Sequence, residues 1–268
     1  MHLFTPHQNE RIPPLLLFLE SIPYITIFIF GITIGSFLNV CIYRIPEGES
    51  IITAPSHCMT CGTTLRKIDM IPILSWLMLG GKCRKCKTKI SIQYPIIEFA
   101  NGILYVIVCA VRGFTWDSLI YGLTGSALLK LSVIDWRTYE IPFAINQFLG
   151  VMGIAAAILD KGHLMEHLIG GVSVSGLLAI LYLISGGSAI GGGDIKLMAA
   201  SGLILGWKNN ILAFILGCIL GSVIHLIRMK RQGEGHVLAM GPYLSLGIML
   251  AGLWGDQWIS SYLKLLGI

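Results

Sequence analysis

Apolar runs near 20 residues recur along this chain, at 24–43, 96–112, 118–136, 143–159, 168–186, 196–207, 210–227 and 239–255. A helix needs about 20 mostly apolar residues to cross the hydrocarbon of a bilayer. The pattern therefore predicts an all-α polytopic membrane protein with about eight transmembrane helices, the run at 196–207 being the shortest. Composition agrees. Hydrophobic residues make up 54% of the chain and charged residues 12%, against about 25% charged in soluble domains. So little charge excludes a soluble globule, a disordered chain and a secreted disulfide scaffold. The polar opening carries His2, His7, Glu10 and Arg11, and the run after it is too long for a signal-peptide core. It reads as a retained first span.

Only one stretch between runs is sizeable, which divides the chain into three. Residues 1–43 hold an N-terminal segment and the first span, 44–95 form one small extramembrane domain, and 96–268 form a seven-helix membrane domain. The middle segment carries Arg44, Arg66, Lys67, Lys82, Arg84, Lys85, Lys87 and Lys89 against Glu47, Glu49 and Asp69. Cationic loops stay in the cytoplasm, which puts this domain inside and the N-terminus outside. Eight spans then place the connections near Arg137, Lys196 and Arg228–Arg231 inside as well, leaving Arg11, Arg112, Lys161, Lys208 and Lys264 outside. No internal sequence repeat is evident.

Within 44–95 stand Cys58-Met-Thr-Cys61 and Cys83-Arg-Lys-Cys86. Two such knuckles supply four thiolates that can close tetrahedrally on zinc. A reducing cytoplasm disfavours disulfides, and nearby Lys and Arg favour thiolates. Four cysteines leave no open position, so the expected metal is a structural Zn2+ on Cys58, Cys61, Cys83 and Cys86, with His57 as a neighbour. Cys41, Cys109 and Cys218 lie in apolar runs, where a thiol acts as a small hydrophobe; seven cysteines in all exclude a fully paired framework.

Two acids sit at the edges of spans, where a carboxylate is costly and so a functional candidate. Asp135 closes the run 127–134, and Asp194 follows Ile190-Gly191-Gly192-Gly193. The topology puts both at cytoplasmic helix ends, where they can meet. Two carboxylates in one site share a proton, so that one deprotonates water while the other donates. The glycines before Asp194 let backbone approach its carboxylate. The residues leave an alternative open: Asp135 paired with Arg137 or Lys130, and Asp194 with Lys196, as interfacial anchors. Asp117, Asp160 and Asp256 fall in outer connections. No Gly-Lys-Ser/Thr follows the glycine-rich stretch, so it is not a phosphate loop. His163-Leu-Met-Glu166-His167 matches a zinc-protease string but lacks a further ligand nearby and reads as a helix end.

These motifs together resemble the type IV prepilin peptidase family, the bifunctional leader peptidase/N-methyltransferases. The matching stretches run in order: Gly35-Ser-Phe-Leu-Asn39 through Arg44-Ile-Pro46; the two knuckles with Asp69-Met-Ile-Pro72 and Ser75-Trp76 between them; Tyr94-Pro95-Ile-Ile-Glu98; Ile134-Asp135 with Ile141-Pro142; Gly191-Gly-Gly193-Asp194-Ile-Lys196; and Gly241-Pro242-Tyr243. Departures are Phe143 after Pro142, and Val237-Leu-Ala-Met240 before the last motif. The resemblance implies that Asp135 and Asp194 are the catalytic aspartates of a membrane endopeptidase of the bacterial inner membrane, cutting at its cytoplasmic face. Its substrates would be prepilins or pseudopilins with short basic leaders. It also implies methylation of the new N-terminus from S-adenosyl-L-methionine, associated with 44–95, at a site the sequence does not locate. Glu47, Glu49, Asp69 and Glu98 are candidate partners for a basic leader. Asn39, Glu98 and Asn101 either line the site or hydrogen-bond between helices. The lipid bilayer is an expected partner and nucleic acid is not. A membrane redox or transport protein, using the C-x2-C pairs as disulfides and the acids as proton relays, is the alternative.

Overall fold

The computed structural model describes residues 14–53, 55–188, 190–232 and 238–267. The opening segment with His2, His7, Glu10 and Arg11, and Val237 before the last helix, lie outside these residues. Backbone groups in lipid must be satisfied within a segment, and the apolar runs accordingly form helices: α1 (Pro14–Arg44), α3 (Gln93–Arg112), α4 (Trp116–Thr138), α5 (Phe143–Leu159), α6 (Leu164–Ile184), α7 (Gly192–Gln232) and α8 (Gly241–Leu265), with a short α2 (Leu74–Met78) in the polar segment.

Helix α7 is two arms. At Gly206 the backbone leaves the helical region (φ 74°, ψ 170°), a conformation that suits glycine. The arms then lie side by side: Asn210 Nδ2 donates to Met198 O (3.1 Å), and Asn210 Oδ1 accepts from Ser201 Oγ (2.8 Å). The runs at 196–207 and 210–227 are thus two helical segments joined at one glycine.

Among the described residues, four helices are long and apolar enough to cross a membrane: Leu19–Arg44, Gln93–Arg112, Lys161–Ile184 and Gly192–Lys230. Phe143–Leu159 is apolar but shorter. Helix α4 falls outside that set because its neighbours are protein. It buries Ser118, Thr124, Ser126 and Asp135 together with its apolar residues, and a helix enclosed by others has less need of an apolar surface. Helix α8 lies against α4 and the second arm of α7.

Small residues and amides bring the helices close, as expected where the bilayer gives no hydrophobic drive between them. A Cβ on Gly31 would stand 2.8 Å from Gly102 Cα, and one on Gly35 2.7 Å from Glu98 Cα, so α1 and α3 nearly touch backbones. Asn101 locks that crossing. Its Nδ2 donates to Gly31 O (2.7 Å), and its Oδ1 accepts from Ser126 Oγ on α4 (2.8 Å).

The helices alternate in direction, so one end gathers the last turns of α1, α4 and the second arm of α7 with the first turns of α3, α5, α8 and the first arm of α7. The Arg137 guanidinium sits 5.1 Å from the Tyr43 ring centre, and Arg228 4.4 Å from that of Trp136. The polar segment 45–92 is attached at this end. Arg44 donates to Ser50 O and Pro55 O (3.2 Å each), and Glu98 Oε2 accepts the Ile73 N–H at 2.7 Å. At the opposite end Arg112 binds Asp117 and the Gly252 carbonyl, and Asn209 Nδ2 donates to Asp256 Oδ1 (2.9 Å).

Candidate active site and metal centre

Asp135 lies in the last turn of α4, 4% exposed. Its Oδ2 accepts the N–H of Gly241 at 2.8 Å. Gly241 opens α8, ahead of Pro242, so its N–H has no partner within the helix and carries the positive end of the helix dipole. A Cβ there would stand 2.7 Å from the same Asp135 oxygen, so glycine is the residue that lets this backbone reach the acid. The sequence offered Gly241 only as part of a motif. The signal was available, since Gly-Pro at a helix start marks free N–H groups.

Asp194 sits in the first turn of α7, half-buried, its own N–H bonded to Gly191 O (3.1 Å). It lies close enough to Asp135 for the two charges to repel. The residues that sequence reasoning placed together are together. Neither acid is in an ion pair among the described residues. Arg137 turns to Gln93 and Tyr43, and Lys196 Nζ lies 5.0 Å from the Phe143 ring centre. The anchoring alternative is not what the geometry holds, and Phe143 serves as a platform for Lys196.

The three glycines before Asp194 differ in their surroundings. None has a positive φ, so the requirement is for space. A Cβ on Gly191 would stand 3.0 Å from Asp194 Oδ2, one on Gly193 2.9 Å from Ile141 Cβ, and one on Gly192 would meet nothing. Gly193 O also accepts from Asn146 Nδ2 on α5 (3.2 Å). Thus Ile141 and Asn146, which sequence reasoning passed over as contacts, hold the loop that carries Asp194. Gly193→Val is expected to displace that loop and cut leader-peptidase activity at least about tenfold, by overpacking. Gly192→Ser is expected to stay near the parent; initial cleavage rates of the two purified variants check this.

The other acids and polar groups are accounted for. Asp69 takes Arg84 in a forked pair (2.6–3.2 Å), which holds its carboxyl below the usual range. Glu98 holds Ile73, leaving Glu47 and Glu49 as exposed acids near α1. Asn101 is interhelical. In the string 163–167, His163 Nδ1 lies 2.9 Å from Asp160 Oδ1, His167 Nδ1 2.9 Å from Leu203 O, and Glu166 3.9 Å from Lys208; the three point to different partners.

Cys58, Cys61, Cys83 and Cys86 converge, every Sγ within 4.8 Å of the others. The Cys58 and Cys86 sulfurs are 3.8 Å apart, close to the edge of a tetrahedron of about 2.3 Å Zn–S bonds. The knuckles are built alike. In each, the first Cys donates its N–H to a Thr carbonyl (Cys58 to Thr63, 3.0 Å; Cys83 to Thr88, 2.8 Å). The residue after the second Cys turns left-handed, Gly62 at φ 66° and Lys87 at φ 61°. Thr63 Oγ1 lies 3.3 Å from Cys61 Sγ, and Thr88 Oγ1 3.3 Å from Cys86 Sγ. These hydroxyls hold Cys61 and Cys86 below the ordinary thiol range, and the Cys86 and Lys85 backbone does the same for Cys83. A structural repeat therefore exists where the sequence showed none: only Cys and Thr recur between the halves, while the turn position changes from Gly to Lys.

A helical membrane bundle that draws two carboxylates together at one end is the architecture of a membrane-bound aspartic peptidase. Residues 29–112 match the Bacterial Peptidase A24 N-terminal domain, and residues 122–226 match the Type IV leader peptidase family. Proteins named prepilin leader peptidase/N-methyltransferase are similar along nearly the whole chain. The one from Pseudomonas aeruginosa is 31% identical, covering 95% of this chain and 99% of its own. That from Bacillus subtilis is 33% identical over 89% and 97%, and that from Pseudomonas putida 30% over 89% and 93%. No solved structure matches the chain. The chain belongs to the type IV leader peptidase family.

Proposed function

We propose that this protein removes the leaders of prepilins or pseudopilins and methylates the N-terminus so exposed. Asp135 and Asp194 are its catalytic pair. The observation that carries this is their convergence at one end of the bundle, free of cationic partners, with Gly241 fixing one oxygen of Asp135. A carboxylate of the pair takes a proton from water, whose oxygen attacks the scissile carbonyl carbon. The other, protonated, gives its proton to the carbonyl oxygen. Collapse of the tetrahedral species breaks the C–N bond, and the departing amine takes up a proton. The Gly241 N–H keeps Asp135 in one rotamer through these exchanges.

All eight helical segments cross the bacterial inner membrane, with the catalytic end and the 44–95 domain in the cytoplasm and the N-terminus outside. The three-part division 1–43, 44–95 and 96–268 stands on that topology. Residues 192–205 rise only about 21 Å against about 30 Å of hydrocarbon. A short arm of this kind draws Asp194 toward the interface, where the scissile bond of a helical membrane substrate lies.

Zinc suits the four sulfurs on their spacing and on the lowered thiols of Cys61, Cys83 and Cys86; bound there, it joins the two knuckles and has no open position for catalysis. S-adenosyl-L-methionine, the donor that N-methylation requires, supplies an electrophilic methyl group when bound. The test is co-expression with a prepilin, scoring leader loss and a one-methyl mass increase at the new N-terminus by mass spectrometry. An unprocessed prepilin overturns the peptidase assignment. A trimmed, unmethylated one overturns only the second activity.

A further inference from the structure

A cavity of about 940 Å³ lies between the ends of α1 and α3 and the knuckle domain. It is within the range of small-ligand sites, about 300–1,000 Å³. Peptide-bond hydrolysis at Asp135 and Asp194 makes no use of it. Its wall contains a buried polar group in want of a partner. Asn39 is 1% exposed, and its Nδ2 donates to Tyr94 O (3.1 Å) and Gly35 O (3.4 Å). Both neighbours are carbonyl acceptors, so the amide cannot be turned round. Its Oδ1 then has no hydrogen-bond partner among the described residues, and a buried acceptor left unpaired is destabilising. Such an acceptor calls for an N–H donor from a ligand.

The rest of the wall narrows what that ligand is. Tyr43 and Tyr94 stack with ring centres 5.6 Å apart and planes 15° apart, and both line the cavity. Arg137 already lies over Tyr43, so the outer side of Tyr94 is the aromatic face a purine or a sulfonium cation would take. Glu47 adds a carboxylate, fitted to a ribose diol or an ammonium group, while Glu49 lies 4.0 Å from Arg44. The cavity wall also meets the last turn of α4. Arg137, two residues beyond Asp135, lies over the Tyr43 ring and binds Gln93. Arg137 and Gln93 in turn line a smaller cavity of about 320 Å³ with Ser132, Trp136 and Pro242.

We propose that the larger cavity is the S-adenosylmethionine site, with Asn39 Oδ1 accepting from a donor N–H and the Tyr43–Tyr94 pair forming its aromatic wall. This rests on the N-methyltransferase reading above. In the transfer, the free amine of the trimmed chain forms a bond to the methyl carbon. The C–S bond breaks with its electrons remaining on sulfur, and the amine loses one proton.

The test is binding, apart from turnover. The purified full-length protein, zinc retained, is titrated with S-adenosylhomocysteine by calorimetry and photolabelled with tritiated S-adenosylmethionine. Label is expected on peptides carrying Tyr43 or Tyr94. Asn39→Leu and Tyr43→Leu should each weaken binding about tenfold or more. Glu47→Gln, on an exposed residue, keeps the test open if the core variants do not fold; it should weaken binding by a smaller factor. Label on α5–α8, or parental affinity in variants that fold and keep zinc, overturns the placement while leaving methyl transfer standing. Binding of a leader peptide alone, with neither S-adenosylhomocysteine nor S-adenosylmethionine bound by the unsubstituted protein, overturns both.

Discussion

Asp135→Asn and Asp194→Asn are each expected to abolish leader removal, by about 10³-fold or more, in protein that still folds. Each amide is nearly isosteric with the acid it replaces. At position 135 the side-chain oxygen can still accept the Gly241 N–H that Asp135 Oδ2 accepts at 2.8 Å, so the contact between α4 and α8 survives. What is lost is the ability to take or give a proton, which alone accounts for about 10²–10⁴-fold in general acid–base steps. Because each acid needs the other's complementary protonation state, the double variant should be little worse than either single one. N-terminal methylation should vanish in step, since no free amine forms. An already trimmed substrate separates the two: it should still be methylated by both variants. The measurement is a time course of prepilin processing with purified enzyme, followed by gel shift and mass. Processing within about tenfold of the parent in either variant would remove that aspartate from the catalytic pair.

Much of this was legible in the sequence, for physical reasons that differ from residue to residue. Cys58, Cys61, Cys83 and Cys86 announce themselves because thiolate geometry around one ion demands short local spacing, and the fold gathers their sulfurs. Asp135 and Asp194 stand out because charge is scarce near apolar runs. Their meeting depends on helix direction, which the placement of cationic connections suggested. Contacts of long sequence separation were not legible. Gly241 reaches Asp135 across 106 residues and Asn146 reaches Gly193 across 47, and neither amide carries a local mark of its partner. Gly206 joins two helical arms, yet it is one of 32 glycines, so only the weakness of the 196–207 run hinted at a reversal. The large cavity was invisible for a further reason: it is the gap between two units, and sequence patterns describe units. Hydropathy also understates α4, whose inner position suits the very polar residues that lower its score.

Removal of the metal is expected to have the second largest effect, and to divide the molecule. The segment between Arg44 and Gln93 contains one 3-10 turn, the five-residue α2 and two isolated bridges, His57–Thr64 and Lys82–Lys89. None of its helical residues in α2 or the 3-10 turn is buried. So little secondary structure and core cannot hold a domain of this size, and zinc binding of about 10–16 kcal/mol at neutral pH is folding free energy in such modules. Chelation, or Cys83→Ser, should therefore unfold the knuckles together, because Cys58 and Cys86 belong to different knuckles and their sulfurs are 3.8 Å apart. Four knuckle thiols on chelation, and the remaining three in Cys83→Ser, should become reactive to a colorimetric thiol reagent while the far-ultraviolet helical signal of the membrane bundle is kept. Donor binding should be lost at the same step, since the domain forms one wall of the cavity and is held to α1 and α3 by contacts such as those of Arg44 and Glu98. Acid should act in the same direction as chelator, because protons compete with the metal for sulfur. Cys61, Cys83 and Cys86 are held below the ordinary thiol range by their hydrogen bonds, which lessens proton competition, and the bound metal lowers the pH of release further, so zinc is retained at neutral pH and lost only on acidification. A protein that binds no stoichiometric zinc, or whose thiols react in disulfide-linked pairs, would instead support the redox alternative. Helix loss in parallel with zinc loss would show that the bundle and the knuckles fold as one unit.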